Sequence, residues 1–352
     1  MNINQTVKTI AYWFLAFSWK NKGYSLIFYA GLSGSSFKLL YSPASGSLLE
    51  LTFNNEISSW ILAILILIGS LLLFIEAVRD LKKRAIIFQH LGIGNIKTFN
   101  IDKARPIWDK LFRAEAHNID VWQYYEDGIV TNPKKALEKT TSILHAIENT
   151  SQTNSENLKF YYGGLVQVPF AFTAGAILNN TMDVDVYDWN RVESKAYLIE
   201  SGNEQVPFKI TLADINEFDA SIAIEIEITY PLNHSNTINA VGDIPTLKIH
   251  AHTPELDNAS NIETQETICK EFHKLLDQYS NVNTIHIFIA AQNSLVFQLG
   301  RQISKRVHPT IVIWQYEKQN KVQNPWGVKI SKNGYEIYEN NEKNIEIKVK
   351  SI

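Results

Sequence analysis

Two short stretches carry side chains suited to holding a phosphorylated ligand. Val166-Gln167-Val168-Pro169-Phe170 and Ala291-Gln292-Asn293-Ser294-Leu295 each lie where a strand pattern gives way to a helix pattern. In open parallel sheets, ligands sit beyond the carboxyl ends of the strands, where helix N-termini offer free N–H groups to phosphate. Gln167, Gln292, Asn293 and Ser294 supply donors for phosphate or base edges, and Pro169 and Phe170 complete the first turn. Helix capping is an equal reading for Asn293 and Ser294, because Asn and Ser are favoured N-caps. The next strands end at Asp188-Trp189-Asn190-Arg191 and Trp314-Gln315-Tyr316-Glu317-Lys318. Trp189 and Tyr316 offer rings on which a base can stack, worth ~1–3 kcal/mol per base. Arg191 and Lys318 offer charge to phosphate, while Trp314, on an alternating strand, reads as core. Trp326 follows Pro325 in what reads as a loop and is a third stacking candidate.

Other chemistry is poorly served. His250 and His252 share a strand face but lack a third ligand at metal spacing, so a polar face is the better reading. Asp183 and Asp185 flank a strand and read as its solvated side. Phosphate-loop, hydrolase-elbow and zinc-protease motifs are absent from the sequence. The one cysteine, Cys269, falls in a predicted helix and reads as a small buried residue. We therefore expect no catalytic residues, no metal and no cofactor. The 352 residues carry a net charge of −3, which gives a nucleic-acid duplex no general basic surface. A small anionic ligand needs only a local pocket.

The elements around these turns repeat. Phe160–Arg191 and Ile285–Lys318 each read as strand, turn, helix and strand, and a helix precedes each copy, at Lys134–Asn149 and Ile262–Tyr279. One offset of 125 pairs Gln167 with Gln292, Phe172 with Phe297 and Gly175 with Gly300. Strands alternating with helices predict an α/β fold with parallel sheets. The repeat, 134–191 and 262–318, predicts two Rossmann-like subdomains within a domain at 131–352. Extra strands are expected at Val206–Leu212, Ser221–Thr229 (half-buried, from its alternation) and Thr246–Ala251. Asn333-Gly334 predicts a hairpin at a sheet edge. Residues 85–130 read as a connector, with 85–91 continuing a helix from the preceding segment and 107–116 forming a short amphipathic helix.

That preceding segment is the longest apolar run. Residues 57–77 read ISSWILAILILIGSLLLFIEA, enough for a helix crossing a ~30 Å hydrocarbon core. Arg79, Lys82, Lys83 and Arg84 follow at once and mark the cytoplasmic side. A first span is expected at about 24–40, where Ala30 and Gly34 are spaced for close helix packing. Tyr12, Trp13, Phe14, Phe17 and Trp19 suit an interfacial helix before it. Residues 1–84 are thus expected to form a transmembrane helical hairpin, with both the N-terminus and the C-terminal domain in the cytosol of a bacterial inner membrane protein.

The second copy, IFIAAQNSLVFQLGRQI followed by IVIWQYEK, resembles the hallmark stretch of SAVED domains, through Ala290-Ala291 and Gly300-Arg301. The first copy, LVQVPFAFTAGAIL with VYDWNR, resembles the corresponding N-terminal half. The resemblance covers about residues 130–330 and implies two fused CARF-like units. With a membrane segment in place of a nuclease, the arrangement is similar to the two-transmembrane SAVED effectors of the CBASS antiphage systems. That resemblance implies a non-enzymatic effector whose ligand is a cyclic di- or trinucleotide made by a partner synthase during infection. Binding would drive homo-oligomerisation and disruption of the lipid bilayer, killing the cell. The alternatives are a membrane-tethered enzyme that degrades the cyclic oligonucleotide and a non-catalytic scaffold that binds a protein.

Overall fold

The computed structural model describes residues 67–74, 84–93, 99–107, 109–111, 113–150, 158–202, 206–213 and 220–340. The chain divides into two compact units, Met1–Lys83 with Leu111–Arg113, and Arg84–Lys110 with Ala114–Ile352. In the first, residues 67–74 are helical and expose Leu67, Ile68, Leu71 and Phe74. The expected span at 24–40, the aromatic run before it and most of 57–77 lie outside the described residues. Among the described residues, no helix is long and apolar enough to cross a membrane.

The second unit contains two sheets. The first is built from β1 (Arg84–Leu91), β2 (Arg113–Asp120), β5 (Leu158–Leu165), β6 (Val184–Asn190) and β7 (Lys195–Leu198), in the order β2-β1-β5-β6-β7. A small hairpin, β3 (Tyr125–Glu126) and β4 (Ile129–Val130), leads into helix α1 (Pro133–Thr150), and α2 (Val168–Leu178) joins β5 to β6. β1, β5 and β6 run parallel, and β7 returns antiparallel.

The second sheet comprises β8 (Phe208–Thr211), β9 (Ser221–Glu227), β10 (Thr246–Ala251), β11 (Thr284–Ala290), β12 (Thr310–Trp314), β13 (Trp326–Ser331) and β14 (Gly334–Glu339). Its order is β14-β13-β12-β11-β9-β10-β8, with β10, β9, β11 and β12 parallel and antiparallel strands at both margins. Helices α3 (His234–Val241), α4 (Ile262–Gln278) and α5 (Asn293–Arg301) complete it. The expected hairpin is β13–β14, with Gly334 at φ 121° and β14 at the sheet edge.

Three expectations are corrected. Residues 85–91 are strand β1, not helix; Ile86, Ile87 and Phe88 are buried on both faces of an interior parallel strand, whose continuous apolar run imitates a helix. Residues 107–116 form no amphipathic helix: a 3₁₀ turn at Asp109–Leu111 precedes edge strand β2. The supposed connector therefore supplies two of the five strands of the first sheet. β9 is not half-buried; flanked by β10 and β11, it buries five consecutive residues, Ile222–Ile226.

The two sheets meet through α2 and α5. α2 is buried from Pro169 to Leu178, as expected for a helix that is apolar all round. A Cβ on Gly175 would lie 2.0 Å from the Phe297 carbonyl oxygen, and one on Gly300 2.1 Å from that of Phe172. The repeat is thus expressed as a pseudo-twofold helix crossing in which each helix presses its glycine on the other's backbone.

Candidate ligand-binding site

The predicted turns lie at the junction of the two halves, and Asn293 and Ser294 hydrogen-bond across it. Asn293 caps no turn of its own helix; its Oδ1 accepts from the Val166 N–H at 2.9 Å. Ser294, buried at the start of α5, donates to Asp188 Oδ2 at 2.5 Å and accepts from Gln265 Nε2. Gln292 Oε1 accepts from the Ala259 N–H, and Gln167 Nε2 donates to the Gly92 carbonyl. Pro169 and Phe170 are buried in the first turn of α2. Burial pushes the Asp188 carboxyl above the usual carboxylate range, against hydrogen bonds from Ser294 and the Trp189 N–H.

Trp326 is not in a loop. It opens β13, is 5 % exposed, donates from Nε1 to Glu317 Oε1 at 3.0 Å and lies 5.4 Å from the Phe170 ring. Glu317 Oε1 also accepts from the Val130 N–H, so one buried carboxylate ties β4 to the end of the second repeat. Phe170 and Trp326 therefore offer a ligand almost no surface. Trp189 is half-buried beside Phe99, and Arg191 is exposed in the turn between β6 and β7. Tyr316 and Lys318 are exposed beyond β12. Arg301, of the Gly-Arg pair, donates to the carbonyls of Asn179 and Met182, bracing the loop between α2 and β6.

The carboxyl end of the second sheet holds a slot of about 320 Å³. Ala290 ends β11 and Trp314 ends β12, and both line it together with Tyr316. Phe288 and Trp314 lie in parallel planes (6°) with centroids 6.0 Å apart. The far wall is the segment after β9, Tyr230–Asn233, and the first turns of α3 through Asn236 and Thr237. Tyr230 and Tyr316 stand at the rim, 54 % and 49 % exposed. A polar recess of about 230 Å³ adjoins the slot and shares Asn236 and Asn324 with it; Asn239, Lys321 and Gln323 also line it. Phe288 and Trp314 are themselves buried, 4 % and 2 % exposed, so the rings open to a ligand are Tyr230 and Tyr316. A slot rimmed by two tyrosines and opening into an amide- and lysine-lined recess suits a base joined to a sugar-phosphate.

Of the predicted residues, only Tyr316 lines this slot. Sequence reasoning missed Tyr230, Asn233, Asn236 and Asn324. One signal was available: Asn233 is an N-cap type, and its Oδ1 does accept from the Ser235 N–H. Beside the slot, Glu225 is fully buried, 2.7 Å from both His234 Nδ1 and Lys248 Nζ. Burial alone would raise the Glu225 carboxyl; Lys248, Thr237 and His234 overcome it and hold it below its usual range.

His273, Asp277 and His308 bring three ligand-type atoms within 4.8 Å of one another. The Ser304 N–H donates to His308 Nδ1, which leaves the proton on Nε2, directed at Asp277 Oδ1 3.3 Å away. A metal needs that Nε2 lone pair, so this cluster is better suited to hydrogen bonding than to coordination. Cys269 is buried, and its thiol is pushed up to about 12 by burial.

The model of the SAVED family, the SMODS-associated and fused to various effectors sensor domain, matches residues 143–330. That is more than half of the chain, and the chain belongs to the SAVED family. Among solved structures, the Acinetobacter baumannii Cap4 SAVED/CARF-domain containing receptor with the cyclic trinucleotide 2'3'3'-cAAA is similar at 13% identity and TM-score 0.48, covering 80% of this chain and 60% of that one. The same receptor with 3'3'3'-cAAA gives 14% identity, TM-score 0.46 and coverage of 82% and 67%. The Moraxella osloensis Cap4 receptor gives 15%, 0.41, 64% and 46%. The chain therefore spans about 60% of the length of the first of these receptors. No curated protein matches the chain.

Proposed function

We propose that this protein is a membrane-anchored effector of CBASS antiphage immunity that binds a cyclic oligonucleotide at the carboxyl end of its second sheet. The slot carries this reading: the exposed rings of Tyr230 and Tyr316 and a polar recess converge where three parallel strands end. The family's sensor role agrees with it. On binding, copies assemble and the N-terminal region disrupts the inner membrane. The apolar run at 57–77, the basic cluster after it and the exposed apolar side chains of the helix at 67–74 support that last step. The test is to titrate the full-length protein with cyclic di- and trinucleotides while following thermal stability and particle mass. One compound that raises both is expected. Binding without growth in mass would remove the assembly step, and no binding from a folded sample would remove the reading.

One observation favours a second reading, degradation of the ligand. His234, next to Asn233 of the slot, is held through Nδ1 by buried Glu225, the arrangement of an oriented general base. Intact ligand after prolonged incubation would exclude it.

A further inference from the structure

A groove of about 1010 Å³ runs between the first turns of α1 and strand β14. Leu137 and Glu138 line it from the helix, and Tyr335, Ile337 and Glu339 from the strand. Tyr335 and Ile337 are half-buried and pair with buried Ile330 and Val328 of β13. β14 is the last strand of its sheet, and among the described residues nothing pairs with its outer edge. An open edge is a template for one more strand. Asn340 follows β14 and donates its N–H to the carbonyl of Pro325, another residue of the groove, so the chain leaves β14 beside it. Residues 341–352 lie outside the described residues and read NEKNIEIKVKSI. Ile345, Ile347 and Val349 alternate with Glu346, Lys348 and Lys350, the period of a strand with one apolar face.

We infer that residues 345–349 occupy this groove, turning back on β14 as an antiparallel eighth strand of the second sheet. With residues 340–344 as a five-residue hairpin loop, Ile345 faces Glu339, Ile347 faces Ile337 and Val349 faces Tyr335. The three apolar side chains then enter the groove. On the opposite face Lys348 stands beside Glu336, which Lys329 already holds from β13 at 2.6 Å. Charges of alternating sign cross the three strands in one row, a favourable arrangement of cross-strand neighbours. Sliding the segment by one residue turns its apolar side chains to the Glu336 face. Sliding it by two sets Glu346 against Glu336 in one direction and leaves Ile345 in the loop in the other. One register therefore satisfies both faces. The added strand closes an edge that would otherwise be open to a neighbouring copy. Its root also reaches the ligand slot: Asn340 Nδ2 donates to the carbonyl of Asn324, which lines the slot and its recess. None of this depends on which ligand the slot takes.

The experiment is disulfide trapping in the full-length protein. Cys269, the one native cysteine, is buried and stays out of the reaction. Glu336→Cys combined with Lys348→Cys sets two thiols directly opposite one another, within reach of a disulfide. Both positions lose only exposed charge, so the fold is retained. Mild oxidation should close the pair within one molecule, read as a faster-migrating monomer in the absence of reductant. Glu336→Cys with Val349→Cys should close about tenfold more slowly, because adjacent strand positions face opposite sides. Adding Ile347→Asp to the first pair should slow it to that control rate, since a carboxylate is expelled from an apolar groove. No disulfide, or equal rates in the two pairs, overturns the strand and its register. An unchanged rate with Ile347→Asp overturns the groove contact. A disulfide formed only between two molecules overturns the assignment to the chain's own edge.

Discussion

Gly175 and Gly300 lie against one another's helices at equivalent places, each where any side chain would strike the other's backbone. Cβ atoms there would meet the Phe297 and Phe172 carbonyl oxygens at 2.0 and 2.1 Å. Neither backbone can yield without moving a helix that carries one half of the molecule. Gly300→Ala should therefore destabilise the protein by about 3 kcal/mol, the upper range for overpacking. Gly175→Ala should do the same. Urea unfolding measures both, and a loss under about 0.5 kcal/mol, the level of an ordinary surface change, would show that the helices separate easily.

Binding and scaffolding residues should part company on mutation. Tyr316→Ala removes a half-exposed ring from the slot rim. It should cost about tenfold in ligand affinity, as loss of a stacking platform does, with little change in melting temperature. Ser294→Ala strands buried Asp188 and should lower stability by about 1–3 kcal/mol, leaving the affinity of the remaining folded protein unchanged. The opposite pattern would move the site to the junction.

Buried His90 should make the fold acid-sensitive. Thr140 donates its hydroxyl to the Ala136 carbonyl, so its oxygen accepts from His90 Nε2, and His90 Nδ1 accepts from the Tyr162 hydroxyl. Burial depresses the ring to about 3. The unfolded chain takes up a proton near pH 6.5 and the folded chain does not, so stability is full above that value and falls as pH drops towards 3. The loss is ~1.4 kcal/mol per pH unit. His90→Gln should flatten the slope of unfolding free energy between pH 6.5 and 5 by about one proton; an unchanged slope refutes the assignment.

Asp188 should act in the other direction. Its carboxyl is raised by burial, so the folded state holds its proton more tightly than the unfolded chain does. Its effect is most favourable below the ordinary carboxylate range and is lost as pH climbs through the raised value. Asp188→Asn should gain stability relative to wild type at pH 7.5, and the gain should shrink towards pH 4. Denaturation at the two pH values decides the sign.

The repeat was legible because its signal is local: apolar spacing, a helix-breaking turn and a fixed glycine recur in each copy. β1 was not, because a continuous apolar stretch beside a transmembrane-like run fits a helix as well as an interior strand, and only pairing with β5 separates them. Gln167, Gln292, Asn293 and Ser294 were correctly placed at strand-to-helix turns. Which groups Asn293 and Ser294 address depends on docking between halves more than 100 residues apart, in the pairs Asn293–Val166 and Ser294–Asp188. Local spacing carries no trace of that docking. Trp326 read as a loop platform because Pro325 marks a break, whereas the break precedes a strand and the ring turns inward. The slot went unseen because Tyr230–Asn239 is polar and short of motifs, and its value comes from facing Phe288 and Trp314 across the sheet end.

The dependence of α2 on α5 also sets the order of biosynthesis. α2 leaves the ribosome as an almost wholly apolar helix, and the helix that covers it is encoded on the order of a hundred residues later. At about 5–20 residues per second, the nascent chain carries that uncovered surface for roughly ten seconds. Neither half can settle before the other exists, so folding waits until the second copy has been made, and the interval is when the chain most needs a chaperone.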